Sequence, residues 1–497
     1  MYLLSSTWCR HLTAGVLLVM AGMLAGTVVF AATPAAGLAV ALNASSGSGD
    51  VASALQDAQE AMGNPTAIQY SATGMNAFYG QAITSGEEWP PRELAMYTRT
   101  INDETRAAAE EIEFTEFTYP SQQYDYYVNG DKAWLVTSKG LVVQLAAAEE
   151  RQLQIWLTPH GFIKAAEAAD DATLSEAEGA STISFTALGK FRVKGTIDAQ
   201  NLVTRVATKI GDPVLGDTDV IATYSNYRDY EGVKFPGKIE IEQGGFPLFE
   251  LDITTVTLSA PLDLSVPEAV ATAAVPIVQA VSTELAPGVW LVAGGNDHSV
   301  VVEFDEYLAV VEAPLNEARS QVVIAEARRL APNKPIRYVL TTHHHFDHVG
   351  GLRTYVAEGA TVVTHESNVA YFEKTLTAPA TISPDAQSRN PKKPVFESVS
   401  DRFEITDGKQ RIELYSTEGD FHTGEFTLIF LPEPGILVVG DGYSPKSPDA
   451  VPVPSPPATV TLDDYIRSLK LDVRTIAPVH GRGAVPYSEL QHYLGRD

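Results

Sequence analysis

The stretch THHHFDHVGG, residues 342–351, decides how this sequence is interpreted. It follows the apolar segment Ile336–Leu340, predicted to be a short buried strand, and it leads into a helix predicted over His348–Glu358. Histidines and a carboxylate in a loop at the end of a strand can converge on one point. Imidazole nitrogen and carboxylate oxygen suit zinc and similar divalent metals, so this stretch predicts a metal site rather than a fortuitous histidine tract.

Strand and helix patterns alternate on both sides of this stretch, from about residue 281 to the end of the chain. This alternation predicts an α/β layer fold for residues 283–497. A helix is predicted over Glu317–Leu330, and strands are predicted over Val289–Ala293, Ser299–Phe304, Leu308–Glu312, Thr361–Thr364, Ile412–Ser416, Phe426–Phe430 and Ile436–Val439.

Nine of the 11 histidines follow residue 297, and three later motifs carry a further histidine or aspartate. These motifs are Gly419–Thr423 with His422, Gly440–Gly442 with Asp441, and Pro478–Gly481 with His480. With them, His343-x-His345-x-Asp347-His348 resembles the HxHxDH signature of the metallo-β-lactamase superfamily. The four motifs occur in the family's order, and the resemblance covers somewhat under half of the chain. It implies an αββα sandwich preceded by a mostly antiparallel β domain.

The resemblance also implies two divalent metal ions, zinc being preferred and iron or manganese the alternatives. It assigns His343, His345 and His422 to the first metal, Asp347, His348 and His480 to the second, and Asp441 to both. Two cations about 3.5–4 Å apart can share one water and lower its pKa towards neutrality. The resulting hydroxide would attack a carbonyl or phosphoryl centre, and Asp347 would guide a proton to the leaving group.

Five further residues near these motifs receive weaker assignments. The family usually has an aspartate where this chain has Glu312, so Glu312 is expected to orient a ligand. His298, Arg482 and Tyr443 are candidates for substrate contact, and their respective alternatives are a surface loop residue, an ordinary salt bridge and a solvent-exposed connection. His344 is expected to point away from the metals. The proline-rich run 445–457 is expected to form either a pocket rim or an exposed connection.

The expected activity is hydrolysis of a small molecule by a dinuclear metal site, but fold membership does not choose the bond. Ester, lactone, thioester and phosphodiester cleavage all remain open. β-Lactamase activity is an alternative, which Asp441 disfavours because family members with that activity commonly lack a bridging aspartate there. Nucleic acid is disfavoured as a partner, because the 497-residue chain has a formal net charge of -27.

Residues 1–31 have the pattern of a secretory signal peptide, with an apolar run before a small residue at the predicted cleavage position. We therefore expect a periplasmic or secreted protein without a stable membrane span after cleavage. An uncleaved N-terminal membrane anchor is the alternative, since the run approaches the length that spans a bilayer. Cys9, which precedes this run, is the single cysteine of the chain, and one cysteine cannot form an intrachain disulfide.

Residues 32–64 are predicted to be a flexible linker with one short helix, and residues 65–262 a β-rich domain. His160, the one histidine of that domain, is interpreted as a surface or turn residue. Residues 263–282 are rich in Pro, Ala and Val and are predicted to be an interdomain linker. A second hypothesis of a different class follows from the β domain: a carrier for a lipid or acyl chain in the cell envelope, with an attached metal domain.

Overall fold

The computed structural model describes residues 50–115, 122–177, 179–258, 264–418, 422–446 and 457–496. The predicted signal peptide and most of the proline-rich run lie outside the described residues. The helices within the described part are all too short or too polar to cross a bilayer.

The N-terminal part is built on one antiparallel sheet of 13 strands, in the order β6-β5-β4-β3-β2-β1-β15-β14-β11-β10-β9-β8-β7. Strands β12 and β13 form a separate hairpin. The elements are α1 (Val51–Met62), β1 (Ala67–Ala77), β2 (Pro91–Asn102), β3 (Ala107–Phe114), β4 (Gln122–Asn129), β5 (Lys132–Thr137), β6 (Gly140–Val143), α2 (Ala148–Trp156), α3 (Pro159–Glu167), β7 (Thr173–Ala177), β8 (Ala180–Ala187), β9 (Phe191–Ile197), β10 (Val203–Asp212), β11 (Gly216–Ser225), β12 (Arg228–Tyr230), β13 (Val233–Phe235), β14 (Lys238–Gln243), β15 (Phe246–Leu258) and α4 (Glu268–Ala271).

One face of this sheet packs against α1, α2 and α3. Alternating burial along the strands explains this packing. In β9, buried and more exposed residues alternate along Phe191–Ile197, so one face of the strand lies in the core. Asp50 caps the N-terminus of helix α1, since its side chain accepts a hydrogen bond from the Ala52 amide, and the helix buries Leu55 and Met62 in the same core. The mostly antiparallel β architecture predicted for this part is confirmed.

The C-terminal part contains a seven-stranded sheet, β16 to β22, and a six-stranded sheet, β23 to β28, each in chain order. The elements are β16 (Val281–Ala286), β17 (Val289–Gly294), β18 (Asp297–Glu303), β19 (Leu308–Val311), α5 (Glu317–Leu330), β20 (Ile336–Leu340), α6 (Phe346–Val349), α7 (Leu352–Glu358), β21 (Thr361–His365), α8 (Val369–Leu376), α9 (Ala386–Arg389), β22 (Phe396–Val399), β23 (Arg402–Thr406), β24 (Arg411–Glu418), β25 (Glu425–Leu431), β26 (Ile436–Val438), α10 (Pro457–Ser468), β27 (Thr475–Ala477), β28 (Val485–Pro486) and α11 (Tyr487–Tyr493).

Three hydrophobic cores define the layers of this part. One lies between the seven-stranded sheet and α5, α7 and α8, a second lies between the two sheets, and a third lies between the six-stranded sheet and α10 and α11. Strand β25 is buried at every position because both of its faces are covered. This is the predicted αββα arrangement, and the fold class is confirmed.

The predicted linker, residues 263–282, contacts the N-terminal sheet near its beginning and is exposed further along. The Leu264 carbonyl accepts a hydrogen bond from Asn129 Nδ2 at 2.9 Å, and α4 follows. Val275 and Ile277 are then 67% and 84% exposed. The two parts also contact each other directly, since Asp217 accepts hydrogen bonds from the backbone amides of Thr381 and Ile382.

The prediction that His160 lies at the surface or in a turn is wrong. It lies in α3 and is only 4% exposed, with Nε2 3.3 Å from the Met62 carbonyl oxygen and its ring stacked on Phe235. Thr158 caps the helix and Pro159 occupies its first turn, so this Pro-Gly-containing segment forms a helix rather than a turn. Burial lowers the pKa of His160 to about 4.

His160 is expected to make the folded state sensitive to acid. An unfolded histidine titrates near pH 6.5, so between about pH 6.5 and pH 4 the unfolded chain takes up a proton that folded His160 does not. Stability should therefore be complete above this window and fall with decreasing pH by up to about 1.4 kcal/mol per pH unit. In denaturant unfolding, His160→Gln should flatten this slope relative to the unmodified protein. Equal slopes in the two proteins would contradict this assignment.

Candidate metal centre

The candidate ligands are held in loops that follow strand ends. The loop after β20 carries His343 and His345 and leads directly into α6, which carries Asp347 and His348, while Asp441 follows β26 and His480 follows β27. His422 precedes β25. Strands β26 and β27 are parallel, so the residues after them lie at the same edge of their sheet. The structure brings all seven predicted ligands together in two groups that share Asp441.

The first group is formed by His343, His345, His422 and Asp441, whose potential ligand atoms lie within 4.8 Å of one another. His343 Nε2 and His345 Nδ1 are buried and have no hydrogen-bond partner among the described residues. The other nitrogen of each ring is engaged: His343 Nδ1 lies 3.0 Å from Thr342 Oγ1, and His345 Nε2 donates to the Ala82 carbonyl at 3.0 Å. Each ring therefore directs an unused nitrogen into the group.

Burial is the main cause that lowers the pKa of both of these histidines. The pKa of His343 lies well below its ordinary value, and that of His345 is lowered to about 2 with the help of neighbouring His422. Both rings are neutral at neutral pH, which is the form in which imidazole binds a metal. The orphaned nitrogens and their neutral state fit a divalent cation.

The second group is formed by Asp347, His348, Asp441 and His480. The Nε2 atoms of His348 and His480 each lie 3.0 Å from Asp441 Oδ1, and they lie 3.1 Å from each other. The second oxygen of Asp441, Oδ2, lies 2.9 Å from His422 Nε2. Asp441 therefore presents one oxygen to each group, as expected of a carboxylate shared between two metals.

The second group is strongly acidic. Burial alone would lower the pKa of His480, but its contacts with Asp297, Asp347 and Asp441 raise it to about 12. Asp441 and Glu312 likewise raise the pKa of His348 well above its ordinary value. These carboxylates stabilise positive charge between them, which either protons or a divalent cation can supply. A metal must displace those protons, so its affinity should increase with pH.

Glu312 lies where the sequence predicted an orienting residue. Its side chain is completely buried, and Oε2 accepts a hydrogen bond from His348 Nδ1 at 2.6 Å. Its Oε1 accepts one from the Thr342 amide, also at 2.6 Å. Its backbone has a φ of 69°, a left-handed conformation that is costly for a non-glycine residue and is concentrated at functional sites. Glu312 thus fixes the orientation of the His348 ring and the start of the HxHxDH loop.

The variant Glu312→Gln is expected to weaken metal binding at the second group by about 10–100-fold, as is typical when a partner of a ligating histidine is lost. Thr342 and His348 donate to different oxygens of Glu312, and an amide replaces one of those oxygens with an NH₂ donor, so one of the two hydrogen bonds is lost. Competition with a chromophoric chelator measures the affinity. Glu303→Gln is the control, since Glu303 forms a partly exposed ion pair with Lys334. An unchanged affinity in Glu312→Gln would contradict the orienting role.

A loop from the N-terminal sheet also reaches the metal centre, and sequence analysis missed it. This segment, residues 78–90 between β1 and β2, is called the β1–β2 loop below. Gln81 Nε2 donates to Asp347 Oδ1 at 2.8 Å. The Ala82 carbonyl accepts from Nε2 of both His344 and His345, at 2.9 and 3.0 Å. Because a carbonyl can only accept, Ala82 fixes the His345 tautomer that leaves Nδ1 available to a metal.

Aromatic packing anchors the β1–β2 loop. Tyr79 and Trp89 both make edge-to-face contacts with Phe346, which lies between two ligands in the chain. Gly80 has a φ of 75°, and a Cβ atom on it would lie 2.6 Å from Phe346 Cγ. The glycine is therefore required for this close approach. The glycines and prolines of residues 80–91 indicate a loop, but no local signal indicates what it contacts.

Three of the weaker candidates are not members of the ligand groups and contact other residues. His298 is buried on β18 with Nε2 3.0 Å from the Gly481 carbonyl oxygen. Arg482 forms an ion pair with Glu489. Tyr443 is 6% exposed and packs in the core beneath α10 and α11. A residue that sequence analysis missed, Asp297, instead lies next to the site, with Oδ1 3.2 Å from His480 Nδ1.

A cleft of about 940 Å³ opens beside the two ligand groups. The ligands Asp347, His422, Asp441 and His480 form part of its wall. The N-terminal part contributes Phe78, Gln81 and Lys139, and Ser444, Pro445 and Lys446 follow from the chain after Asp441. The described beginning of the proline-rich run thus borders the cleft, while residues 447–456 lie outside the described part of the chain.

The sequence profile of the metallo-β-lactamase superfamily matches residues 293–480. Similar solved structures include metallo-β-lactamases from Pontibacter korlensis, with 20% identity over 44% of this chain and 98% of that chain (TM-score 0.33), and from Hirschia baltica, with 17% identity over 44% and 97% (TM-score 0.33). A mono-zinc metallo-β-lactamase from Pseudomonas aeruginosa has 16% identity over 44% and 96% (TM-score 0.34). No curated protein matches the chain.

The profile match spans all four motifs, from the HxHxDH signature to His480, and lies within the predicted αββα domain. Its residues converge in the two ligand groups described above. Residues 293–480 therefore match the metallo-β-lactamase superfamily in sequence, as the resemblance of the motifs predicted.

Proposed function

We propose that this protein is a dinuclear metal-dependent hydrolase of a small molecule. The observation that carries the proposal is the placement of Asp441, which presents one carboxylate oxygen to each ligand group. One tetrahedral zinc takes four ligands, whereas seven nitrogen- and oxygen-bearing side chains converge here. The first cation would be held by His343, His345 and His422, the second by Asp347, His348 and His480, and both by Asp441.

Bound divalent cations, with zinc the preferred identity, supply Lewis acidity and lower the pKa of water. The protein's own residues position the rest of the chemistry. Gln81 holds one oxygen of Asp347, whose other oxygen lies 3.3 Å from His480 Nε2. The Asp347 side chain is 34% exposed and borders the cleft, so it is placed to carry a proton from the attacking water to the leaving group.

The cleft supports a small substrate that carries a negative charge. Lys139 and Lys446 border it in a chain whose formal net charge is -27, so they provide local positive charge in an acidic protein. Phe78, 46% exposed, offers an apolar surface in the same cleft. We propose an ester, lactone, thioester or phosphodiester as the bond cleaved, with β-lactam hydrolysis as the alternative.

A hydrolysis panel tests this proposal. Full-length protein loaded with zinc, manganese or iron is assayed against anionic and neutral members of each class, β-lactams included. Turnover is expected with at least one class, and it should be lost in His343→Ala and kept in His492→Ala, an exposed histidine on α11. A protein that binds metal but hydrolyses no class, or equal turnover in the two variants, would refute a hydrolytic role for this site.

We also propose that the protein acts outside the cytoplasm, on the basis of the N-terminal sequence pattern alone. Expression in a bacterial host followed by cell fractionation should place it in the periplasm or the medium, with an intact mass that begins near Ala32. A mass that includes residues 1–31 in the membrane fraction would favour the anchored alternative. Retention in the cytoplasm would exclude both.

A further inference from the structure

A separate cavity of about 290 Å³ lies in the N-terminal part, between the large sheet and helix α2. Strands β1 to β4 and β15 provide the sheet side, and α2 provides Glu150, Arg151 and Gln154. Ligand pockets in proteins typically begin near 300 Å³, so this cavity suits a small molecule. The residues that line it include none of the metal-centre residues.

Positive charge predominates in this cavity. The charged side chains that line it are Arg92, Arg99, Arg151, Glu110 and Glu150. Burial raises the pKa of Glu150, which favours its neutral form. One oxygen of the Glu110 carboxylate already has a hydrogen-bond donor within the protein, the Tyr97 hydroxyl at 2.7 Å. In a chain of strongly negative net charge, this cavity is therefore a local site for an anion.

Arg99 is the central group. It is only 7% exposed, and its Nη1 lies 3.7 Å from Glu110 Oε1, beyond hydrogen-bond distance. Its Nε is buried without a hydrogen-bond partner among the described residues. Tyr70, Glu110 and Tyr97 stabilise the charge of this guanidinium, but an unsatisfied donor on a buried group is costly, so the Nε donor is available to an acceptor that a ligand supplies.

The two other arginines are held in place by the surrounding residues. Arg151 donates from Nη1 to the carbonyls of Tyr127 and Trp134, at 2.9 and 2.8 Å. Arg92 donates to Asn76 Oδ1 at 2.5 Å, and its guanidinium lies 3.8 Å from the centre of the Phe114 ring. These contacts fix positive charge at the cavity before any ligand arrives, which reduces the entropic cost of binding.

Arg99 also borders a largely apolar wall. A second, smaller cavity of about 70 Å³ shares Arg99, Glu110, Glu150, Gln154 and Phe249 with the first. Its remaining wall is mainly aliphatic and includes Ile210, Val220, Ile239, Ile241 and Leu248. A molecule bound at Arg99 would therefore meet cationic groups on one side and aliphatic side chains on the other.

We propose that this pair of cavities binds a small aliphatic carboxylate, with its carboxylate at Arg99 and its chain directed towards Ile239 and Ile241. A guanidinium binds a carboxylate through paired, charge-assisted hydrogen bonds, and aliphatic walls favour the chain. This binding site is independent of the proposed hydrolysis, because it shares no residue with the metal centre.

Isothermal titration of the full-length protein with sodium octanoate tests the proposal, and octanamide serves as the uncharged analogue. Octanoate is expected to bind with a stoichiometry of one, and octanamide at least about 10-fold more weakly. Arg99→Gln should weaken octanoate binding by at least about 10-fold. Arg192→Gln is the matched control, since Arg192 lies on β9 in an exposed ion pair with Asp171. It should bind octanoate as the unmodified protein does.

Equal affinity for octanoate and octanamide, or undiminished octanoate binding in Arg99→Gln, would overturn the assignment of Arg99 as the carboxylate site. Failure of the unmodified protein to bind octanoate at millimolar concentration would show that the cavity holds only water. Should Arg99→Gln not fold, as judged by circular dichroism, Arg92→Gln at the more exposed arginine takes its place. The same reduction is expected there, and octanoate binding as tight as in Arg192→Gln would again overturn the proposal.

Discussion

The variant Asp441→Asn is expected to lower turnover by about 10²-fold or more, the scale on which a preorganised electrostatic group acts. The substitution keeps the size of the side chain but removes its charge and one anionic oxygen. The second group depends more on that charge than the first, because Asp441 Oδ1 lies 3.0 Å from Nε2 of both His348 and His480, whereas Oδ2 lies 2.9 Å from His422 Nε2 alone. One metal per chain should therefore be lost preferentially, and elemental analysis alongside an ester assay measures both effects.

The control for this variant is Asp305→Asn, in which an exposed aspartate paired with Lys409 loses its charge in the same way. Its metal content and turnover should match those of the unmodified protein. Two tightly held metals with undiminished turnover in Asp441→Asn would remove Asp441 from the site and leave it as a residue of the turn after β26.

The variant Gly80→Ala is expected to reduce metal affinity by about 10–100-fold, although Gly80 is not itself a candidate ligand. The added Cβ would meet the Phe346 ring at 2.6 Å, so the β1–β2 loop must move away from the HxHxDH segment. That movement would break the hydrogen bonds from Gln81 to Asp347 and from His345 to Ala82. Chelator competition measures the affinity, and turnover should fall with it.

Gly130→Ala is the matched control for this variant. Gly130 also has a positive φ, 56°, but a Cβ on it would meet no atom within 4 Å. Both variants therefore carry a similar backbone penalty, of about 1 kcal/mol or more, and only Gly80→Ala disturbs the contact with Phe346. Metal affinities that decrease equally in the two variants would show that the loop contacts do not support the metal centre.

Where the sequence carries a strong local pattern, the predicted elements agree closely with the structure. Helix α5 and strand β20 have the predicted bounds, Glu317–Leu330 and Ile336–Leu340. Asn316 caps α5, and the short apolar run of β20 is typical of a buried strand. The predicted helix over His348–Glu358 is instead two short helices, α6 and α7, because the chain turns at Gly350 and Gly351.

Contacts between residues distant in the chain could not be predicted from local pattern. Gln81 and Asp347 are 266 positions apart, and neither hydropathy period nor turn chemistry links them. The same holds for His298 and Tyr443, whose positions near motifs suggested substrate contact. The His298 ring contacts the Gly481 carbonyl, and the Tyr443 ring packs against the Tyr493 ring. Both contacts arise from tertiary packing, which a local sequence pattern does not specify.

The composition of the cleft has a consequence for how relatives of this protein can diverge. Phe78 lies in the β1–β2 loop and Lys139 lies in the turn between β5 and β6, while every candidate metal ligand comes from a different part of the chain. Turn residues at hairpin ends tolerate exchange and insertion far better than buried ligands do. Mutation and selection can therefore change which molecules are accepted by exchanging Phe78 and Lys139, while Gly80, Gln81, Ala82 and the candidate metal ligands stay unaltered.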